Sequence, residues 1–429
     1  METKQHERPG PRISVCVHAL QPAREDGRAL RNATALARAG FAVSIVDIEH
    51  DSTRPHEENL EDIGVKNISL SDELQGEPVH LRHIFVPRRF SSYYDPTNYV
   101  MWLFFKCWRM LCAVIWLLRT PADVYHANDV AALPACYVAA LLRRKPLIFD
   151  AHELPLGDAL YTSRTHFRFL RTVSVYLLRA MLPSCSGIIT VSPPLVRELQ
   201  RLYGGKKAVL VRNIPPYQKP HFDDWLRRKV GVGSKTRIAL YQGYLQKDRG
   251  LDGLVRAAQF LAPGIVIVML GRGEYQTELE ALITREGVGD RVKILPAVPY
   301  AELLEWTASA DIGLIVSPPT CSANVEVFLP NKLFEYLMAG LPVLASPLEA
   351  VEEIIRTYDV GRILPSLEPE VLGRGISTIL ADRAALESMR CNALAASSHE
   401  LRWDVEEQRL IALYHNALAK RPGDTTQKL

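Results

Sequence analysis

The sequence has 429 residues, more than one ordinary hydrophobic core accommodates, so two domains are expected. Hydrophobic residues make up 48% and charged residues 23%, a globular composition, and a net charge of +3 is too small to point to nucleic acid. The seven cysteines include no Cys-x-x-Cys pair and no histidine in zinc spacing, which argues against a disulfide framework or a metal site and fits a reducing compartment.

In chain order, Met1 to Arg12 reads as a loose polar tail, and Ile13 to Leu20, too short for a signal-peptide core, as the first buried strand. Asp26 to Gly40 carries Leu30, Ala33, Leu36 and Ala37 at helical spacing, Gly40 ends it, and Phe41 to Val46 is the next strand. This is a βαβ unit of a doubly wound sheet. Tyr99 to Arg119 is long enough to span a bilayer, but Lys106 and Arg109 near its centre would each cost ~2.5–3.5 kcal/mol there. Spanning would also leave strands of one sheet on opposite sides of the membrane. On a helix Lys106 and Arg109 share a face with Trp102, Phe105 and Trp116, and Phe104, Leu111, Ile115 and Leu118 lie opposite. Two readings stand. One is a peripheral helix, its basic aromatic face at headgroup level beside Arg88 and Arg89 and its aliphatic face on the protein; the other is a core helix. Strands at Val124 to His126, Pro146 to Phe149, Gly187 to Val191 and Ala208 to Val211 complete a first domain over 1–212. Pro215, Pro216, Pro220 and Gly231 give 213–235 a linker composition. A second series at Ile238 to Gln242, Ile265 to Leu270, Val292 to Leu295, Ile312 to Val316 and Leu341 to Ala345, with Gly361 to Pro365, forms a domain over 236–395. An amphipathic helix from Trp403 to Leu418 sets Leu410, Leu413, Tyr414 and Ala417 on one face before a tail.

Ligands of an open parallel sheet bind outside the carboxyl ends of its strands, and polar residues cluster there on two successive strands of the first domain. They are His126, Asn128 and Asp129, and Asp150, His152 and Glu153. In the second domain Gly243 follows a strand and Arg249-Gly250 precedes a helix; the glycine lets backbone approach a diphosphate, and Arg249, with Lys247 as alternative, can grip it. Gly271 marks another turn after a strand. Pro330 to Ala339 reads as a helix ended by Gly340, its start at Asn331, Lys332 and Leu333 suited to phosphate and Glu335 placed to bond a ribose diol. No Gly-x-Gly-x-x-Gly or Gly-x-x-x-x-Gly-Lys-Ser/Thr loop occurs, against a nicotinamide dehydrogenase or a P-loop NTPase.

The order and spacing of Asp26-Gly-Arg28, His126-Ala-Asn-Asp129, Asp150-Ala-His-Glu153, Gly187 to Ser192, Val211-Arg-Asn213, Gly243 to Gly250, Gly289 to Leu295, Ala310 to Leu314 and Pro330-Asn-Lys to Gly340 resemble the family 4 glycosyltransferases, Pro-Asn-Lys branch. The resemblance covers nearly the whole chain. It implies the GT-B fold, an α/β architecture of two Rossmann-like domains facing a cleft, with the last helix (396–429) crossing back to the first domain. It further implies retaining transfer from a nucleotide-sugar without metal or cofactor. Gly243, Gly271, Arg249 and Asn331 to Leu333 would then hold the diphosphate, Glu335 the ribose, and backbone near Leu295 to Val298 the base. His126 would contact the sugar near its anomeric carbon, and His126, Arg249 and Lys332 would carry catalysis. Asp129, His152, Glu153 and Glu326 become possible acceptor or sugar contacts. The chain departs from the family at Val327, where a second glutamate is usual and Glu326 stands one position early, and at Tyr244, where an arginine or lysine is common. The expected protein is a cytoplasmic enzyme of polysaccharide assembly, peripheral at the inner membrane face, with a lipid-linked saccharide or glycan acceptor. Its rivals are a GT-B sugar-nucleotide epimerase using His126 or Glu153 as acid or base, and a catalytically silent scaffold subunit.

Overall fold

The computed structural model describes residues 12–50, 55–59, 79–86, 99–154, 165–204, 208–319 and 323–419. The tails, Arg88 and Arg89 lie outside them, as does the side chain of Trp102. The first sheet comprises β1 (Ser14–His18), β2 (Ala42–Glu49), β3 (Glu57–Asn59), β4 (Val79–Phe85), β5 (Val124–Asn128), β6 (Leu147–Ala151), β7 (Gly187–Thr190) and β8 (Val209–Leu210). Its order is β3-β4-β2-β1-β5-β6-β7-β8, parallel except for β3 against β4. The second sheet comprises β9 (Arg237–Gln242), β10 (Ile265–Leu270), β11 (Val292–Leu295), β12 (Ile312–Ile315), β13 (Val343–Ala345) and β14 (Gly361–Ile363), all parallel in the order β11-β10-β9-β12-β13-β14. Strand order reverses at β1 and at β9, which places a ligand crevice at the carboxyl end of each.

The helices are α1 (Gly27–Arg38), α2 (Tyr99–Arg119), α3 (Leu133–Arg143), α4 (Thr165–Met181), α5 (Pro193–Tyr203), α6 (Trp225–Val230), α7 (Leu251–Ala257), α8 (Gln276–Glu286), α9 (Tyr300–Ala308), α10 (Ala323–Val327), α11 (Asn331–Met338), α12 (Glu349–Tyr358), α13 (Pro369–Ala381), α14 (Arg383–His399) and α15 (Trp403–Ala419). Some of their starts follow capping chemistry: Asp26 accepts from the Ala29 amide at 2.9 Å, and Ser192 from that of Leu195 at 3.3 Å before a Pro-Pro first turn. One face of the first sheet is covered by α2, α3, α4 and α5, the other by α1 together with Trp403, Leu410, Tyr414 and Ala417 of α15. The last helix is therefore part of the first domain's core, whereas α14 packs on α11 of the second. The segment 213–235 contains α6, whose Leu226 is buried with Ile214 in the second core.

Three expectations change. Strands β3 and β4 were not anticipated; β4 alternates Val79, Leu81 and Ile84 with His80, Arg82 and His83, so its apolar signal is diluted. Leu341 and Pro342 precede β13 rather than opening it. The sides of α2 are reversed: Ala113, Val114 and Leu117 are buried, Lys106 and Arg109 are half-buried, and Phe104, Leu111 and Ile115, expected on the protein, face outward with Trp108 and Met110. A helix apolar almost all round cannot announce its inner side; small Ala113 and Val114 permit close approach to α3, and that decides it. Among the described residues no helix is long and apolar enough to cross a membrane.

Candidate active site in the interdomain cleft

On the second domain, two glycine turns lie side by side at the ends of β9 and β10. The Gly243 amide bonds Leu270 O at 3.0 Å and the Leu245 amide bonds Arg272 O at 2.9 Å. A Cβ at Gly271 would fall 1.9 Å from Gly243 O, so only glycine permits this contact. Lys332, from the first turn of α11, lies over the Tyr241 ring with Nζ 3.8 Å from its centroid and beside Gly243. Burial, with Arg249 adding to it and Glu335 opposing, lowers Lys332 to about 7. Arg249 is exposed at the edge of the same surface. Glu335 follows one turn on; Gln242 Nε2 donates to one of its oxygens at 2.5 Å, and Gln242 is fixed in turn by Thr307 Oγ1 at 2.8 Å. Burial raises Glu335 against the pull of Gln242, Lys332 and Arg31. Glu335 lines an open pocket with Pro215, Pro216, Tyr300, Leu303 and Met338. Two basic side chains, a helix start and an open glycine floor are together the chemistry that suits a diphosphate, and a carboxylate one turn away suits hydroxyl groups. Leu333 contributes little to it: its side chain is in the core and its amide turns back to Pro330 O at 2.9 Å. Asn331 accepts from Asn213 Nδ2 of the linker at 3.0 Å.

Across the cleft, the carboxylate of Asp150 at the end of β6 is the hub of the first domain. Arg28 of α1 grips it with two bonds, Nε to Oδ2 at 3.0 Å and Nη2 to Oδ1 at 2.8 Å; Asn32 adds 2.9 Å and His152 Nε2 lies 3.3 Å away. Burial would raise Asp150, but Arg28 and His152 outweigh it and hold the carboxyl far below the usual range. His152 itself is lifted by Asp150 against burial and keeps 22% of its side chain exposed. Asp129, beside it, has φ +82, a left-handed backbone that a non-glycine residue adopts under constraint; its amide bonds Asp150 O at 3.0 Å.

His126 does not reach the cleft. It is fully buried, its Nδ1 2.6 Å from Tyr414 Oη of α15, and burial lowers it to about 4. Nothing within β5 signals this cover, since the covering residue lies 288 positions away. The cleft is bridged where Leu154 N donates to Asn324 Oδ1 at 2.8 Å and where Ser192 Oγ bonds Val327 O. The Val327 side chain sits in the first domain's core, so the position of the family's second glutamate is an interdomain plug, and Glu326 next to it is exposed. Glu153 is exposed and within 3.4 Å of Asn324. The cleft thus brings together Gly243, Gly271, Arg249, Lys332 and Glu335 on one side and Asp129, His152 and Glu153 on the other. The sequence shows Arg28 only as part of a motif and Tyr414 only on a helix face, and gives no signal for Asn32, Tyr241 and Gln242, partners recognisable only once the chain is folded. Among the described residues no three His, Cys, Asp or Glu side chains gather as metal ligands.

Two Rossmann-like domains facing a cleft, each with its strand ends turned inward, define the GT-B class of glycosyltransferase. The family profile for glycosyltransferase family 4 matches residues 28–214, and that for glycosyl transferases group 1 matches 223–395. The chain belongs to the family 4 glycosyltransferases. It is 26% identical over 322 residues to D-inositol 3-phosphate glycosyltransferase 1 of Catenulispora acidiphila, covering 70% of this chain and 74% of that one. Among solved structures it resembles sucrose-phosphate synthase of Thermosynechococcus elongatus, with a TM-score of 0.71, 16% identity and 95% and 100% of the two chains covered. It likewise resembles Anabaena HepE in complex with UDP-glucose, with a TM-score of 0.65, 18% identity and 94% and 99% covered.

Proposed function

We propose that the chain transfers a sugar from a nucleotide-sugar, with retention of configuration, to a lipid-linked saccharide or glycan at a membrane surface. The observation that carries this is the seat formed by Gly243, Gly271, Lys332 and Arg249, one helical turn from Glu335 and opposite His152. In the reaction the bond from the anomeric carbon to the diphosphate oxygen breaks and one to the acceptor oxygen forms on the same face. The acceptor proton passes to the leaving phosphate. Lys332, Arg249 and the amides of Asn331 and Lys332 stabilise the departing charge, a term in which a single donor is typically worth ~2.7–4 kcal/mol. His152, rather than the enclosed His126, stands at the sugar side with Asp129.

The membrane part rests on an outer surface wider than α2. Phe104, Trp108, Met110, Leu111 and Ile115 of α2 are exposed, as are Leu141 and Leu142 of α3 and Tyr176 and Leu177 of α4, on helices covering one sheet face. Arg119, Arg143, Arg144 and Lys145, all exposed, supply a basic rim suited to anionic headgroups. The opposite side of α2 turns Lys106 and Arg109 inward, Arg109 acting on His18 at the carboxyl end of β1.

The test is a panel of UDP-, GDP- and ADP-sugars screened by thermal stabilisation, where ligand at ~100 times its Kd adds ~2.7 kcal/mol. The best donor is then incubated with membrane lipid extracts. Nucleotide release that requires an acceptor supports transfer. Conversion of the donor without acceptor points to an epimerase, and no stabilisation by any donor points to a silent scaffold.

A further inference from the structure

Four nitrogens surround Oδ2 of Asp150: two donate to it, and two, both histidine Nε2 atoms, are buried beside it without a hydrogen-bond partner among the described residues. Arg28 Nε, Asn32 Nδ2 and His152 Nε2 lie at 3.0, 2.9 and 3.3 Å; His126 Nε2 lies at 3.8 Å, buried and otherwise unbonded among the described residues. The other ring nitrogen, Nδ1, is 2.6 Å from Tyr414 Oη, and the two rings stack at 6.2 Å and 11°. Burial leaves His126 neutral at pH 7, against the pull of Asp150 and with His152, Arg28 and Asp26 as the remaining charges facing it, so one nitrogen carries the proton and the other is bare. Were the proton on Nδ1, the bare Nε2 would face the Asp150 carboxylate and the Tyr414 hydroxyl would lose its acceptor. With the hydroxyl donating to Nδ1, the Nε2 proton faces Asp150, and both ring nitrogens of His126 and the Tyr414 hydroxyl are satisfied or favourably opposed.

We propose that Tyr414 is a positioning residue for the cleft: by donating to Nδ1 it fixes the Nε2-protonated tautomer of His126, which holds the Asp150 oxygen in register for His152. The last helix thereby contributes a hydroxyl that never reaches the cleft. The inference rests on the reading of His152 as the sugar-side group. It does not reduce to docking of α15, which is anchored independently: Glu406, fully buried, accepts from Arg212 N at 3.0 Å and Nη1 at 2.8 Å, and Trp403, Leu410 and Ala417 fill the core beside it.

Tyr414→Phe removes one oxygen and leaves the stacked ring. In the full chain with ¹⁵N,¹³C-histidine, the parent should show His126 as the Nε2–H tautomer alone. Tyr414→Phe should add the Nδ1–H tautomer and lower the His152 titration midpoint by ~0.5 unit or more, since a bare Nε2 pushes Asp150 toward Arg28. The thermal midpoint should stay close to the parent's. With the best donor of the nucleotide-sugar panel, kcat should fall about tenfold at unchanged KM. His126 remaining wholly Nε2–H in the variant, or an unmoved His152 midpoint, overturns the proposal without reference to any substrate. A His152→Gln protein that transfers sugar at the parent's rate overturns the reading of the cleft, and the relay's role with it.

Discussion

Asp150→Asn probes the buried ion pair at the centre of the first domain. Asparagine keeps the shape but removes the charge facing Arg28; the two side chains are 0% and 5% exposed. Removing one partner of a buried pair costs about 3–5 kcal/mol, because the other charge is left uncompensated. Three charge-assisted bonds of 2.8–3.0 Å end on this carboxylate, which places the cost toward the upper part of that range. At 2–4 °C per kcal/mol for a domain of this size, melting should fall by roughly 8–20 °C near pH 7. The sign of the pH dependence follows from the depressed carboxyl. Such a group contributes stability that is complete above its unfolded value, ~3.9, and is lost as pH falls through the folded value. Parent and variant should therefore differ by a constant amount above about pH 5 and converge below about pH 4. Calorimetry of the full chain across that range measures both. An asparagine variant melting within ~2 °C of the parent near pH 7, or a gap undiminished by acid, would refute the reasoning.

Binding of UDP near pH ~7.5 should take up a proton, because Lys332 is lowered to about 7 when the site is empty and a phosphate raises it. Affinity then declines as pH rises through 7, calorimetry in buffers of different ionisation heat reads the uptake, and Lys332→Arg should abolish it. Glu335→Ala should weaken UDP binding by ~1.5–3 kcal/mol by titration calorimetry, the range for a hydrogen bond to a charged group, and unchanged affinity in a folded protein would remove it from the site. Trp108→Glu with Leu111→Glu should end co-flotation with phosphatidylglycerol vesicles while melting shifts by only ~1 °C, as both side chains are exposed. Undiminished flotation would assign the apolar surface elsewhere.

The alternating βα architecture was legible because buried parallel strands read as short apolar runs: β10 begins and ends where the run does. The gathering of Gly243, Lys332 and Glu335 was legible too, since they owe their positions to local turns and a single helix start. The first-domain side was not. His126 and His152 stand in equivalent polar clusters, and what separates them is a tyrosine from the far end of the chain that encloses one and leaves the other open. The outward face of α2 was misjudged for a related reason. Periodicity ranks faces by polarity, whereas the inner side here was chosen by small side chains that let α3 come near.

Because Trp403, Leu410, Tyr414 and Ala417 complete the core on the α1 side of the first sheet, that side stays only partly covered, by α1 alone, until the ribosome has made the whole second domain. Nascent residues up to 212 must wait with an apolar face exposed, a stage at which chaperone capture is expected. The same arrangement sets a rule for recombination: a chimera that exchanges donor domains has to leave residues 403–419 with the first half of the chain, so the natural cut points are two, near 213 and near 400, and not one.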